Sequence, residues 1–211
     1  MKHKISSITI MIVLFLNTGI GYGQEFSKKQ MMRKISTIQG DWQGTISLIN
    51  LGKVKIHSYM SPENSAYVNT QIIETPNKIV VIDMQFLKPY ASEVASYIKM
   101  LNKPIEKVLI SHSHPDHWFG HEAFSNATFY TLKSVKKELL EQGQAIIDQN
   151  KPSLGDMIPN DNIASVETIS VGKEVIDGIS FEYLELKEAE ASVQLTIKLS
   201  EFGVLIAQDL V

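Results

Sequence analysis

Residues 112–117 read His-Ser-His-Pro-Asp-His, so four potential metal ligands, His112, His114, Asp116 and His117, fall within six positions. The apolar run Ile105 to Ile110 before them reads as a short buried strand, and Gly120 to Phe124 after them as a brief helix. Chemistry placed where a strand ends and a helix begins is the usual arrangement of a layered α/β protein, which is the fold class expected here. In an extended segment, residues two apart face the same side, so the imidazoles of His112 and His114 converge. Asp116 and His117 follow as the chain turns and can close on a second ion beside the first. Imidazole with carboxylate suits zinc, manganese or iron rather than calcium. A lone histidine beside a strand is most often a packed or surface residue. Here four of the five histidines beyond residue 23 lie between His112 and His121, which packing alone does not explain.

The chain has 211 residues, enough for one domain with a substantial core or a tight pair of half-domains. Its hydrophobic content of 44% and charged content of 20% are ordinary for a globular protein. The net charge of −3 becomes −5 once Lys2 and Lys4 leave with the first 23 residues, which argues against a basic nucleic-acid-binding face. There is no cysteine, so thiolate ligands, a catalytic thiol and disulfides are excluded, and histidine and carboxylate remain as strong ligands.

Residues 1–23 read as an export signal: Lys2 and Lys4, an apolar run from Ile8 to Leu16, then Gly21-Tyr22-Gly23 at a cleavage site. The apolar run is short for a bilayer span, although an uncleaved anchor is the alternative. A periplasmic or secreted protein starting near Gln24, without stable membrane insertion, is the expectation. Residues 24–40 form a leader whose spacing permits a short amphipathic helix, and the remainder, residues 41–211, is a single domain.

Strands are expected from Ile46 to Ile49, Val54 to Tyr59, Ala66 to Glu74 and Lys78 to Ile82, with a turn at Thr75-Pro76-Asn77-Lys78. His57, inside a strand, reads as structural. Pro89 opens a helix with the stripe Tyr90, Val94, Tyr97, Ile98 and Leu101, which Asn102 and Pro104 end. Ala127 to Tyr130 is a short strand. Leu132, Val135, Leu139 and Ile146 mark a second helix stopping before Pro152. Residues 152–162 read as a loop, either a lid over substrate or a solvated connector. Asp177-Gly178 is a hairpin turn, and Val193, Leu195, Ile197 and Leu199 alternate as a strand.

The motif His112-x-His114-x-Asp116-His117 resembles the signature of the metallo-β-lactamase-fold hydrolases, and the similarity spans roughly residues 41–211. The resemblance implies an αββα sandwich with a mono- or dinuclear metal site at its edge. It implies that Asp83, ending the run Ile79 to Ile82, orients the motif loop, although Met84-Gln85 stands where the family commonly has Thr-Gly or Ser-Gly. The family's third histidine has no counterpart. Glu190 stands at that position, with Glu188 as the fallback, and two histidines plus a glutamate form a known zinc triad. Asp209 matches the family's bridging aspartate, with Gln208 in place of the more frequent glycine. Further elements and a final histidine would follow in related domains, so the sandwich is expected to be truncated in its C-terminal half, as a fragment or as a shortened member with an impaired second site. His121 is not at a usual ligand position and reads as an exposed helix residue.

The resemblance therefore implies a hydrolase. His112, His114 and Glu190 would hold one zinc ion, and Asp116, His117 and Asp209 would hold a second or orient its water. Asp116 would accept and return a proton, and Trp118 and Phe119 would form an apolar wall beside a small-molecule substrate. Lactam, lactone, ester, thioester and phosphodiester substrates remain open, as does oligomeric state. Iron or manganese in place of zinc, iron redox chemistry, and a non-catalytic metal-binding module are the competing readings.

Overall fold

The apolar runs between Ile46 and Ile82 pair as a meander that becomes parallel where the helices enter. The computed structural model describes residues 33–35 and 42–209. Strands β1 (Arg33–Ile35), β2 (Thr45–Asn50), β3 (Lys55–Met60), β4 (Asn69–Glu74) and β5 (Ile79–Ile82) are antiparallel neighbours. The sheet continues in parallel through β6 (Ile105–Leu109), β7 (Phe129–Thr131) and β8 (Glu167–Thr168), giving eight strands in sequence order. The second sheet is an antiparallel meander of β9 (Gly172–Ile176), β10 (Ile179–Lys187), β11 (Val193–Leu199) and β12 (Val204–Ile206). The result is an α/β sandwich of one mixed and one antiparallel sheet, flanked by helices.

Burial follows the pairing. All four residues of β5 are buried, as expected of an interior strand covered on both faces. Strand β10 alternates, with Ile179, Phe181 and Tyr183 turned inward. They join Leu195 and Ile197 of β11 and the first sheet's Ile72, Val80 and Ile82 in one continuous core. Each such side chain contributes ~1.5–3 kcal/mol on removal from water.

Parallel neighbours require crossovers. Helix α1 (Lys88–Met100) joins β5 to β6, burying Tyr90, Ala91, Val94, Tyr97 and Ile98 along one stripe. Leu101 caps it and Asn102 takes a left-handed φ of 53°, so it stops where its sequence suggests. Helix α2 (Lys133–Leu154) joins β7 to β8 and buries Val135, Leu139, Gly143 and Ile147.

Three local expectations are corrected. Arg33–Ile35, within the segment expected as an amphipathic helix, is a strand paired with β2; the rest of residues 24–40 and the export signal of residues 1–23 lie outside the described residues. Helix α2 does not stop before Pro152 but runs through it to Leu154. So near a helix end the proline removes only one ladder bond, and Lys151 beside it donates to the carbonyls of Ile158 and Pro159, tying the following segment to the helix end. The segment after Leu154 folds back along α2: the Asn162 amide donates to Leu139 O, and its Oδ1 would meet a Cβ on Gly143 at 2.3 Å. That close approach is open only to glycine, and it makes the segment a docked connector of α2.

Away from the motif, β3, β4 and α1 share a buried polar group. His57 Nε2 lies 2.9 Å from Glu74 Oε2 and its Nδ1 2.7 Å from the Tyr97 hydroxyl. Lys55 and Lys103 also donate to Glu74. At the start of β5 and β10, the Asp177 carboxylate accepts from Thr75 Oγ1 and from the backbone and side-chain nitrogens of Asn77, joining the turns of the two sheets.

Candidate metal centre

Strands β5 and β6 are parallel, so their C-terminal ends share one edge of the first sheet. Strands β10 and β12 are both antiparallel to β11, so they too end on one side. Asp83 follows β5, the motif follows β6, Glu190 follows β10 and Asp209 follows β12. A backbone bond from Leu195 N to Ser111 O brings these edges together. Topology thus delivers residues from both sheets to one place.

Asp83 organises it. Its carboxylate is fully buried and accepts four bonds: Ser111 N to Oδ1 at 2.7 Å, and Ser111 Oγ, His117 Nδ1 and the Gln208 amide to Oδ2. The Ser111 hydroxyl spends its proton on Asp83, so its oxygen accepts from His112 Nδ1, 2.9 Å away. His112 Nε2 is then an unprotonated lone pair, buried and without a hydrogen-bond partner. The same carboxylate accepts from His117 Nδ1–H, so it is His117 Nε2 that turns to the site, where it lies 3.1 Å from Asp209 Oδ2 and 3.3 Å from Asp116 Oδ2. Two carboxylates at that nitrogen call for a positive charge, supplied by a proton on Nε2 or, in its place, by a bound cation.

The electrostatics agree. Burial, with the neighbouring His117, pushes His112 down to about 4 and keeps its ring neutral, as a ligand must be. Burial opposes the charge on His117, but Asp116 and Asp83 outweigh it and raise that ring well above its ordinary value. Burial would raise Asp116 and Asp209 as well; His117 more than offsets it in both, and both are lowered. Glu190 is raised by burial, with Asp209 adding to the shift and His114 opposing it.

Two donor groups result, His112 with His114 and Glu190, and His112 with His117 and Asp209, the donor atoms in each lying within 4.8 Å of one another. Glu190 Oε2 stands 2.9 Å from His114 Nδ1 and 3.4 Å from His112 Nε2. Donors about 2.0–2.1 Å from a tetrahedral ion stand roughly 3.3 Å apart, so the set fits a divalent metal. Glu188 is in neither group and has a left-handed φ of 57° in the turn before Glu190.

Other expected residues are placed elsewhere. Trp118 and Phe119 are both 0% exposed, so they form no wall for a substrate. The 3-10 turns Pro115–His117 and Phe119–Phe124 pack their rings inward, and Trp118 Nε1 donates to Ser113 O, bracing the motif from beneath. Gly120 permits this: its N–H donates to Gln85 O, and a Cβ there would fall 1.9 Å from Met84 O. His121 is half-buried rather than exposed, its Nδ1 turned to Trp118 O, and it belongs to neither donor group. Met84-Gln85 is an integral part of the loop: Met84 N donates to His117 O, and the buried Gln85 amide donates to Val68 O and Thr70 Oγ1. Asp83, Gln85 and Gln208 all have positive φ, a strain of ~1–3 kcal/mol each that clusters at this site. Ser111 and Gln208 had no role assigned from sequence; for Ser111 the signal was its place between a strand end and the first histidine.

Residues 66–195, more than half of the chain, match the family model described as the metallo-beta-lactamase superfamily. The chain is similar in structure to a metallo-beta-lactamase from Pontibacter korlensis, at 17% identity and a TM-score of 0.52, covering 74% of this chain and 67% of that one. It is also similar to a metallo-beta-lactamase from Pseudomonas aeruginosa in a mono-zinc form, at 19% identity and a TM-score of 0.53, covering 76% and 66%. A motif mutant of a Cronobacter sakazakii metallo-beta-lactamase aligns at 15% identity and a TM-score of 0.51, covering 70% and 57%. This chain therefore spans between 57% and 67% of the length of these three, and at such identities the likeness is one of fold. No curated protein matches the chain.

Proposed function

Because the chain belongs to the metallo-beta-lactamase superfamily, we propose that it is a metal-dependent hydrolase of a small substrate carrying a carbonyl or phosphoryl centre. The observation that carries this is the buried Nε2 of His112, without a hydrogen-bond donor or acceptor and aimed into the site by the Asp83–Ser111 chain. His112, His114 and Glu190 would hold one zinc ion, and His117, Asp209 and Asp116 a second. Zinc in such a site supplies Lewis acidity and brings the pKa of a water towards ~7.

The protein's own contributions are orientation and proton handling. Asp83 fixes the Nδ1–H tautomer of His117 directly and that of His112 through Ser111, so neither ring has to reorganise. Asp116, half-buried beside His117, is the carboxylate placed to accept a proton from the attacking water and return it to the leaving group. Lactam, lactone, ester, thioester and phosphodiester are the bonds to assay. The decisive experiment is elemental analysis of purified protein with the His112→Ala/His114→Ala double variant alongside. Zinc retained by wild type and lost by the variant, together with loss of hydrolysis, is the expected result. Equal zinc in both overturns the reading.

One observation favours a second reading. Each donor group holds two histidines and one carboxylate, a set that also serves non-haem iron in oxygenases. Iron rather than zinc in the purified protein, with an oxidase activity, would select it.

We also propose export, with cleavage close to Gly23, from the basic start and apolar run of residues 1–23. Among the described residues no helix is long and apolar enough to cross a membrane. Mass spectrometry of the exported protein should find Gln24 or a neighbour first; an intact Met1 would make the segment an anchor.

A further inference from the structure

Glu190 is borne on a turn, and a turn does not hold a ligand in place unaided. Strand β10 ends at Lys187 and β11 begins at Val193, and between them Glu188 N to Ser192 O, at 3.3 Å, is the backbone bond across the turn. The Glu190 side chain is 46% exposed, so packing does not fix it either. His112 is buried and His114 is half-buried, on a loop of the other sheet. Whether the carboxylate meets the two imidazoles therefore depends on how the two loops are registered against each other.

One residue of α2 touches both. Glu138 Oε2 accepts from Ser113 Oγ at 2.6 Å, and Ser113 lies between His112 and His114. Glu138 Oε1 accepts from Ser192 Oγ at 2.9 Å, and Ser192 lies two residues after Glu190. The two oxygens of a single carboxylate thus bridge the histidine loop and the glutamate turn, each through a charge-assisted bond, the stronger kind of hydrogen bond. The helix that supplies Glu138 is anchored by buried Val135 and Leu139 on either side of it, so the bridge stands on a rigid element.

We propose that Glu138 is the positioning residue that registers Glu190 against His112 and His114, acting through Ser192 and Ser113. This rests on the metal-centre reading given above. Glu138 touches neither a donor atom nor a substrate; it sets the distance across which Glu190 closes the first donor group. Outer-shell partners of this kind typically contribute ~10–100-fold to metal affinity.

The test is a zinc titration of the full chain in competition with a chelator, on wild type, Glu138→Ala, Glu138→Gln, Ser192→Ala and Glu190→Gln, with cobalt(II) spectra of each. Glu138→Ala and Ser192→Ala should both weaken zinc binding by about tenfold or more and lower the intensity of the cobalt d–d bands. Glu138→Gln should restore much of the loss, because its carbonyl accepts from one serine while its NH2 donates to the other. In the Glu190→Gln background, Glu138→Ala should cost little more, since the ligand it positions is already impaired; a merely structural role would give the full loss there too. Wild-type affinity in Glu138→Ala, or an undiminished loss in the Glu190→Gln background, overturns the proposal while leaving the metal centre standing. Wild type that binds neither zinc nor cobalt overturns both.

Discussion

Asp83 Oδ2 lies 2.7 Å from His117 Nδ1, so a carboxylate ending one strand decides which nitrogen of a histidine 34 residues later faces the site. In Asp83→Asn, an amide N–H would confront the donors of Ser111, His117 and Gln208. His117 would then place its proton on Nε2, blocking the lone pair. Zinc affinity should fall ~10–100-fold, read by chelator competition, with circular dichroism unchanged. Wild-type affinity in this variant would mean that tautomer control lies elsewhere.

Glu190 tests the first donor group directly. Glu190→Gln keeps the shape and removes the charge, and should cost about 1.5–3 kcal/mol of zinc binding, the worth of a charged contact. Glu190→His supplies a third imidazole and should match or exceed wild type. Equal affinities in all three would remove Glu190 from the site.

Trp118 is fully buried and donates through Nε1 to Ser113 O. Trp118→Ala should lower stability by ~3–5 kcal/mol, seen as an earlier urea midpoint. Trp118→Phe keeps most of the ring and loses the hydrogen bond, so about 1 kcal/mol is expected. A midpoint unmoved by the alanine change would place the indole at the surface instead.

Glu74 gives the fold an acid-sensitive element far from the metal ligands. Burial alone would raise its carboxyl, but hydrogen bonds from Lys103, His57 and Lys55 hold it down at about 2, from 4.5. A depressed carboxylate stabilises the fold above its unfolded value and loses that contribution as pH falls through its folded value. In chelator-treated protein, the thermal midpoint of wild type should exceed that of Glu74→Gln by a constant margin above pH 4.5, and the margin should shrink towards pH 2. A margin independent of pH across that range would show that Glu74 folds uncharged.

The sequence revealed most where chemistry and periodicity are local. His112 to His117 stand out because ligand types crowd one short stretch, and β11 and α1 because their apolar residues repeat at the strand and helix periods. Glu190 and Asp209 stand far from the motif in sequence and were reached only through the family pattern, as the replacement for its third histidine and as its bridging aspartate. Glu138 was invisible, since on α2 it sits among Lys136, Lys137 and Glu141 and nothing local distinguishes it from a solvated helix charge. Trp118 and Phe119 misled because adjacency to ligands does not determine which way a ring points; the close approach of Gly120 to Met84 does. Pro152 misled because a proline's cost depends on how much helix remains beyond it.

Each donor group takes members from both layers of the sandwich, His112 and its neighbours from one sheet and Glu190 or Asp209 from the other. An ion bound there is a rivet through two plates, and its occupancy becomes a mechanical property of the whole domain. Binding at 100 times the dissociation constant adds about 2.7 kcal/mol to unfolding, so the urea midpoint should climb with free zinc and serve as a gauge of loading without any substrate. In Glu190→Gln the climb should begin at higher zinc. A midpoint indifferent to zinc that does bind would mean that the unfolded chain holds the metal as tightly as the folded domain, and that no assembled site gathers its ligands.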